Sequence, residues 1–258
     1  MMSRQRMTTP QTLGDDLIQA YQTQGFVRVP GILSKEEAAE YYGIALSIME
    51  REQDPMGGRV FTQIVNVWQS DDQIRSLTLH PNVAGVAERL AGVPLRLWHD
   101  HLLIKQPHNQ APTEFHQDQP YWPHANSANS LSAWIALCDV PVERGCMTFI
   151  PESHHRTDLE AQDLRDSEDL LNKAPDFRWQ PRVTLPLRAG DCTFHHSRCA
   201  HMAGPNLTDD PRVAHVIIYM DATTTYIAKP HIVTDPLNLT EGAILDGVYF
   251  PKLPNDAS

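Results

Sequence analysis

The chain has 258 residues, a formal net charge of −11, 41% hydrophobic and 21% charged residues, the balance of a folded globular protein with a sizeable core. Lysine and arginine form no cluster, which excludes the basic footprint of a nucleic-acid binder and attachment to an anionic membrane surface. No apolar run approaches the roughly 20 residues of a spanning helix.

The start, "MMSRQRMTTP", has no apolar segment of secretory type behind it. The four cysteines, Cys138, Cys146, Cys192 and Cys199, form no C-x-x-C pair. They read as inert, reduced thiols of a cytoplasmic protein. The 13 histidines justify a search for a metal site.

In chain order, residues 12–23 predict a short amphipathic helix, and "GFVRVPGIL" a strand and turn. "SKEEAAEYYGIALSIMERE" predicts a helix whose start is a capping box between Ser34 and Glu37. "PNVAGVAERLAG" predicts another, opened by Pro81 and closed by Gly92. From about residue 95 the character changes. "LRLWHDHLLIKQP", "SLSAWIALCDV", "CMTFIPES", "RVTLPLRAGDCTFHH" and "RVAHVIIYMDA" read as strands bounded by Pro, Gly and Asn. Residues 155–178 are an acidic insertion, partly helical, either a solvated surface element or a lid. The pattern predicts a mainly β (α+β) fold, a jelly roll with helices packed outside. We expect one domain over 1–258: a helical part at about 12–92, a jelly-roll core at about 95–225, and a tail.

The chemistry centres on "TEFHQDQPYWPH", residues 113–124. Along a strand, residues i and i+2 share a side, so His116 and Asp118 are expected to aim at one point. A third ligand must come from elsewhere, and the best donor is His201 in "FHHSRCAHMAGPN". Two histidines and one carboxylate form the facial triad that holds non-haem Fe(II) with open positions. Arg212 opens a strongly apolar strand, where a buried guanidinium needs an anionic partner such as a small dicarboxylic acid.

Lys105, "HQD", "AWIAL", "GCMTFIPESHH", "GDCTFHHSRCAHMAGPN" and Arg212 follow one another in an order that resembles the phytanoyl-CoA dioxygenase family over roughly residues 20–250. The tail "LDGVYFP" is similar to that of bacterial members. The resemblance implies a double-stranded β-helix, the cupin-like jelly roll, and dependence on Fe(II), 2-oxoglutarate and O2. It implies iron ligands at His116, Asp118 and His201, a 2-oxoglutarate dock at Arg212, and co-substrate contacts from Trp134 and Lys105. If Lys105 faces inward, strand parity turns His101 and His99 inward too. With Tyr121 and Trp122 they are expected to line the substrate pocket. Two departures stand out: Met202-Ala203 follows the distal histidine where the family often has Gly-Ser or Gly-Ala, and Glu152 replaces a turn glycine in "PESH". A carboxylate at Asp118 implies hydroxylation, or another C–H oxidation of a small molecule, in preference to halogenation.

His154, His195, His196 and His215 read as structural histidines, with His196 the alternative third ligand. Two further function classes stay open on the residues: a non-redox cupin-like metal enzyme, and a non-catalytic jelly-roll binding protein. The placement of Arg212 counts against the first, and the intact triad against the second.

Overall fold

Alternation along the strands decides the architecture. The computed structural model describes residues 7–51 and 62–253. Its N-terminal third holds α1 (Asp15–Gln24), β1 (Phe26–Val29), α2 (Lys35–Arg51), β2 (Thr62–Val65), α3 (Asp72–Thr78) and α4 (Pro81–Ala91). There follow β3 (Leu95–Lys105), β4 (Thr113–His116), β5 (His124–Ala125), β6 (Leu131–Ala136), β7 (Met147–Phe149) and α5 (Asp169–Lys173). The chain continues through β8 (Val183–Leu185), β9 (Cys192–His196), β10 (His201–Ala203), β11 (Arg212–Asp221) and β12 (Thr225–Tyr226).

The strands form a six-stranded sheet in the order β1-β9-β6-β11-β3-β2 and a four-stranded sheet β4-β10-β7-β8, with β12-β5 as a separate pair. Every pairing is antiparallel. The architecture is the double-stranded β-helix. One face of the large sheet, with Ile135, Phe194, Val213 and Ile217, packs on helix residues such as Ile48, Leu77, Ala84 and Leu90. The other face, with Phe26, Trp134, Val216 and Ile218, packs on Met147 and Phe149 of the small sheet. Strand β11 is buried along all ten residues because it is covered on both faces.

The helix signals act as read. Ser34 N–H donates to Glu37 Oε2 at 2.8 Å and Glu37 N–H to Ser34 Oγ at 3.1 Å, a reciprocal capping box. Gly92 closes α4 in the left-handed conformation, φ 69°. Glu52, the last residue of the predicted second helix, lies outside the described residues. The large sheet draws its two edge strands, β1 and β2, from the N-terminal third. The acidic insertion carries α5 and a 3-10 turn at Pro175–Trp179, and buries Leu159, Leu170, Ala174 and Phe177 against Ile150 and Ala200.

Two details set the walls of the interior. The register of β11 against β3 jumps from Ile218↔His99 to Tyr219↔Leu97. Trp98 is thus the extra residue of a β-bulge, and both Trp98 and His99 are buried. On the helix side, Asp100 accepts from Thr78 Oγ1 at 2.8 Å and from Trp68 N–H at 3.0 Å, which pins α3 to β3. His215 Nε2 lies 2.9 Å from the same Thr78 hydroxyl. Burial raises the Asp100 carboxyl from 3.8 to about 7.

The folded state therefore keeps a proton that the unfolded chain releases near pH 4. Stability from this group is present below about pH 4 and is lost as pH rises towards 7. Asp100→Asn is expected to remove that slope, on the order of 4 kcal/mol across the window. Guanidinium unfolding of both proteins from pH 4 to 8 measures it; parallel pH profiles would refute it.

Candidate metal centre and co-substrate pocket

Strands β4 and β10 pair so that His201 stands directly opposite His116, with ring centroids 4.3 Å apart. Each ring is oriented by a backbone carbonyl. His116 Nδ1 lies 2.7 Å from Glu114 O and His201 Nδ1 2.9 Å from Cys199 O. Both contacts require the hydrogen on Nδ1, which leaves each Nε2 as a bare donor atom. Burial lowers His201 to about 3, so its lone pair stays free.

Asp118 does not reach this point by strand parity. Strand β4 ends at His116, and Asp118 has αR backbone angles, φ −73° and ψ −46°. The chain turns because the N–H groups of Asp118 and Gln119 both donate to Ser197 O, at 2.8 and 3.0 Å. The carboxylate then lies 3.5 Å from His116 Nε2 and 3.7 Å from His201 Nε2. The three ligand atoms fall within 4.8 Å of one another. Ser132 Oγ donates to Asp118 Oδ2 at 3.0 Å, and His195 Nε2 lies 3.5 Å from the same oxygen. Burial alone would raise this carboxyl, but its surroundings of His201, His116 and His195 outweigh it and hold it well below the usual carboxylate range. Two bare imidazole nitrogens and an anionic oxygen, each braced from behind, suit a divalent iron.

Gln117, between the two ligands, points the other way and is fully buried. Its amide donates to Ser153 O, Arg156 O and Arg198 O, and its backbone N–H to Gln162 Oε1. Tyr121 Oη donates to Gln162 O at 2.5 Å. The acidic insertion is therefore tied to the turn that carries Asp118.

Arg212 is 1% exposed. Its guanidinium sits over the Trp134 ring, 5.3 Å from the centroid, and donates to Gly145 O at 3.3 Å. Among the described residues its Nε–H has no partner and no carboxylate pairs with it. Gly145 must be glycine: its φ is +81°, and a Cβ would lie 2.5 Å from Gly204 O. A buried, unpaired guanidinium facing a cavity fits a dicarboxylate co-substrate.

A cavity of about 230 Å³ joins these groups. It is lined by the triad, Arg212, Trp134, Tyr121 and Trp122, and also by His99 and His101. Lys105, expected from the resemblance to contact the co-substrate, is absent from that lining. Its ammonium donates instead to the carbonyls of Ala111, Ala203 and Gly204, at 3.1, 3.2 and 2.8 Å. Burial and the charge of Arg212, its cross-strand partner, lower it to about 7. It fixes the chain that follows His201. His195, read from sequence as structural, lines the cavity. It pairs across from Ser132 as Thr193 does from Trp134, and cross-strand partners share a face, so parity with Trp134 is the signal that points to it. His196 contacts Ala128 O at 2.9 Å, outside the donor cluster.

The phytanoyl-CoA dioxygenase family model matches residues 21–214. The chain is similar to the carbocyclase SnoK of nogalamycin biosynthesis, 38% identical with a TM-score of 0.89, covering 97% of this chain and 100% of that one. It is similar to the epimerase SnoN of the same biosynthesis, 40% identical with a TM-score of 0.82, covering 93% and 98%. Rat peroxisomal phytanoyl-CoA dioxygenase is 25% identical over 81% of this chain and 68% of its own. Mouse phytanoyl-CoA dioxygenase domain-containing protein 1 is 29% identical over 60% of this chain, which spans only 55% of that protein's length. The fold is that of the iron- and 2-oxoglutarate-dependent oxygenases. The chain belongs to the phytanoyl-CoA dioxygenase family.

Asp118→Ala is expected to weaken Fe(II) binding by more than the roughly 10–100-fold that loss of an outer-sphere partner costs, and to abolish 2-oxoglutarate turnover. Anaerobic Fe(II) titration reads the first. Retention of wild-type affinity would remove Asp118 from the ligand set.

Proposed function

We propose that His116, Asp118 and His201 hold Fe(II), that Arg212 receives the distal carboxylate of 2-oxoglutarate, and that the enzyme oxidises a C–H bond of a small natural product. The observation that carries this is the convergence of the donor cluster and an unpaired buried arginine on one cavity. When bound, iron with 2-oxoglutarate and dioxygen supplies an oxidant for an unactivated C–H bond, with release of succinate and carbon dioxide.

The protein's own part is placement and exclusion of water. Ser132 and His195 hold the second oxygen of Asp118. Trp134 stacks against the guanidinium and keeps it from turning. His99, His101, Tyr121 and Trp122 form the substrate walls, apolar faces with a few polar handles. Tyr121 is locked through Gln162, so the insertion positions part of that wall. Leu164 of the insertion also lines the cavity, which supports its reading as a lid.

Hydroxylation is the outcome we assign. The reactions named for SnoK and SnoN, carbocyclisation and epimerisation, are the second reading, supported by 38% and 40% identity. The pose of the substrate decides between them. Four free cysteines support a reducing compartment, the cytoplasm. Among the described residues no helix is long and apolar enough to cross a membrane.

Purified protein with Fe(II), 2-oxoglutarate and air is expected to form succinate slowly without substrate. Arg212→Ala is expected to raise the KM for 2-oxoglutarate by about 30-fold or more, from about 2–5 kcal/mol for a buried charged pair left incomplete, with Fe(II) affinity nearly unchanged. Succinate quantified by chromatography reads both. No succinate from iron-loaded protein would overturn the oxygenase reading, and an unchanged KM would move the dock elsewhere.

A further inference from the structure

Arg212 and Asp118 are the only Lys, Arg, Asp or Glu side chains among the described residues that line the cavity, and both already have tasks. Lys105, Lys229 and Arg182 keep their charges but do not line the cavity. Lys105 serves three carbonyls, Lys229 donates to Pro120 O, and Arg182 lies over the Phe115 ring while donating to Phe177 O.

The polar groups left on the substrate side are Gln63, His99, His101 and His231. Their contacts show a neutral set. His101 Nε2 and His99 Nε2 are 2.7 Å apart, so one ring must donate and the other accept; two imidazolium rings would set N–H against N–H. Gln63 Nε2 is 3.0 Å from His101 Nδ1. With the amide donating there, His101 carries its hydrogen on Nε2 and gives it to His99. His231 Nδ1 accepts from Val233 N–H at 3.2 Å, which puts the hydrogen of the neutral ring on Nε2, where it has no partner among the described residues. Burial lowers His101 and His231 to about 4, in agreement with that geometry. The remaining wall is apolar: Val65, Leu103, Trp122, Val216, Ile218 and Ile232.

An anionic group brought here would lose its water and, among the described lining residues, meet no counter-charge besides Arg212. We infer that this cavity selects an uncharged, largely apolar molecule that offers an oxygen acceptor, a hydroxyl, ether or carbonyl, to the Nε2–H of His231. Phosphonates and carboxylates seated inside the cavity are disfavoured, because no second cation lines it among the described residues. The inference rests on the proposed function in one respect, that Arg212 is committed to 2-oxoglutarate.

The test uses two probes of one shape and different charge. Protein saturated with Fe(II) and 2-oxoglutarate under nitrogen at pH 7.5 is titrated calorimetrically with 2-naphthol, neutral at that pH, and with 2-naphthoate, an anion. We expect 2-naphthol to bind at least about tenfold tighter. His231→Gln, which keeps an N–H donor, should retain most of that affinity, and His231→Phe should lose about fivefold or more, with circular dichroism confirming that each variant is folded. Equal or tighter binding of 2-naphthoate overturns the charge selection, and so does failure of 2-naphthol to bind. Undiminished binding by His231→Phe overturns the role of His231. The succinate assay separates the two proposals. Succinate formed together with tight 2-naphthoate binding sinks only this inference, and its absence from iron-loaded protein sinks the oxygenase reading instead.

Discussion

His201 stands opposite His116 across a ladder in which β10 contributes three residues, and the donor cluster depends on that opposition holding. A slip of one residue would present Met202 in place of an imidazole, because alternate residues face opposite sides. Three separate restraints prevent it. Strand β10 also pairs with β7, His201 against Phe149. Lys105 grips the carbonyls of Ala203 and Gly204 just beyond. Gly145 and Gly204 approach so closely that no side chain fits between them. The same Gly145 carbonyl accepts from Arg212, so the restraint on the ligand strand and the seat of the guanidinium are one piece of structure.

Burial of charge is concentrated around this piece. Asp118, Lys105 and Arg212 all sit in the interior of the roll, and each is handled differently. Asp118 receives the Ser132 hydroxyl on one oxygen, with His195 beside it, and turns the other to the bare nitrogens of His116 and His201. Lys105 exchanges water for backbone carbonyls and is lowered to about 7. Arg212 keeps its charge, lowered by burial only to about 10, with an aromatic face on one side and an open hydrogen-bonding edge on the other. An incomplete set of donors is costly in an empty interior and useful in one that receives an anion.

Much of this was legible in the sequence. The jelly roll followed from strand-like runs between turn residues, and the flanking helices from their caps. His116, Asp118, His201 and Arg212 stood out because each is a metal-binding or anion-binding type placed beside β-forming residues. Parity along β3 put His99 and His101 on the cavity side, where they lie. The same rule misdescribed Asp118, since extended backbone stops at His116 and a carbonyl 79 positions later in the chain, Ser197 O, bends the next residues. Such long-range hydrogen bonds leave no local pattern. Lys105 was misplaced for a related reason: parity gives a side of the sheet, but not which carbonyls wait there. Strand β2 and helix α3 are too short, at four and seven residues, for periodicity to declare them. Glu152, noted as standing where the family has a turn glycine, adopts φ 63°, so the turn keeps its shape despite the side chain, at the strain usual for a non-glycine residue there.

Gln117 has a bearing on how this scaffold diversifies. Its side chain and backbone clamp carbonyls and an amide from Ser153, Arg156, Arg198 and Gln162, so the insertion is riveted to the scaffold at its N-terminal side. Residues beyond the rivet, including Leu164 at the cavity, hang as a span between Gln162 and the small core around Leu170 and Phe177. The span can change length and composition without disturbing the turn that presents Asp118. Inheritance can thus retool the mouth of the cavity while the donor cluster stays untouched.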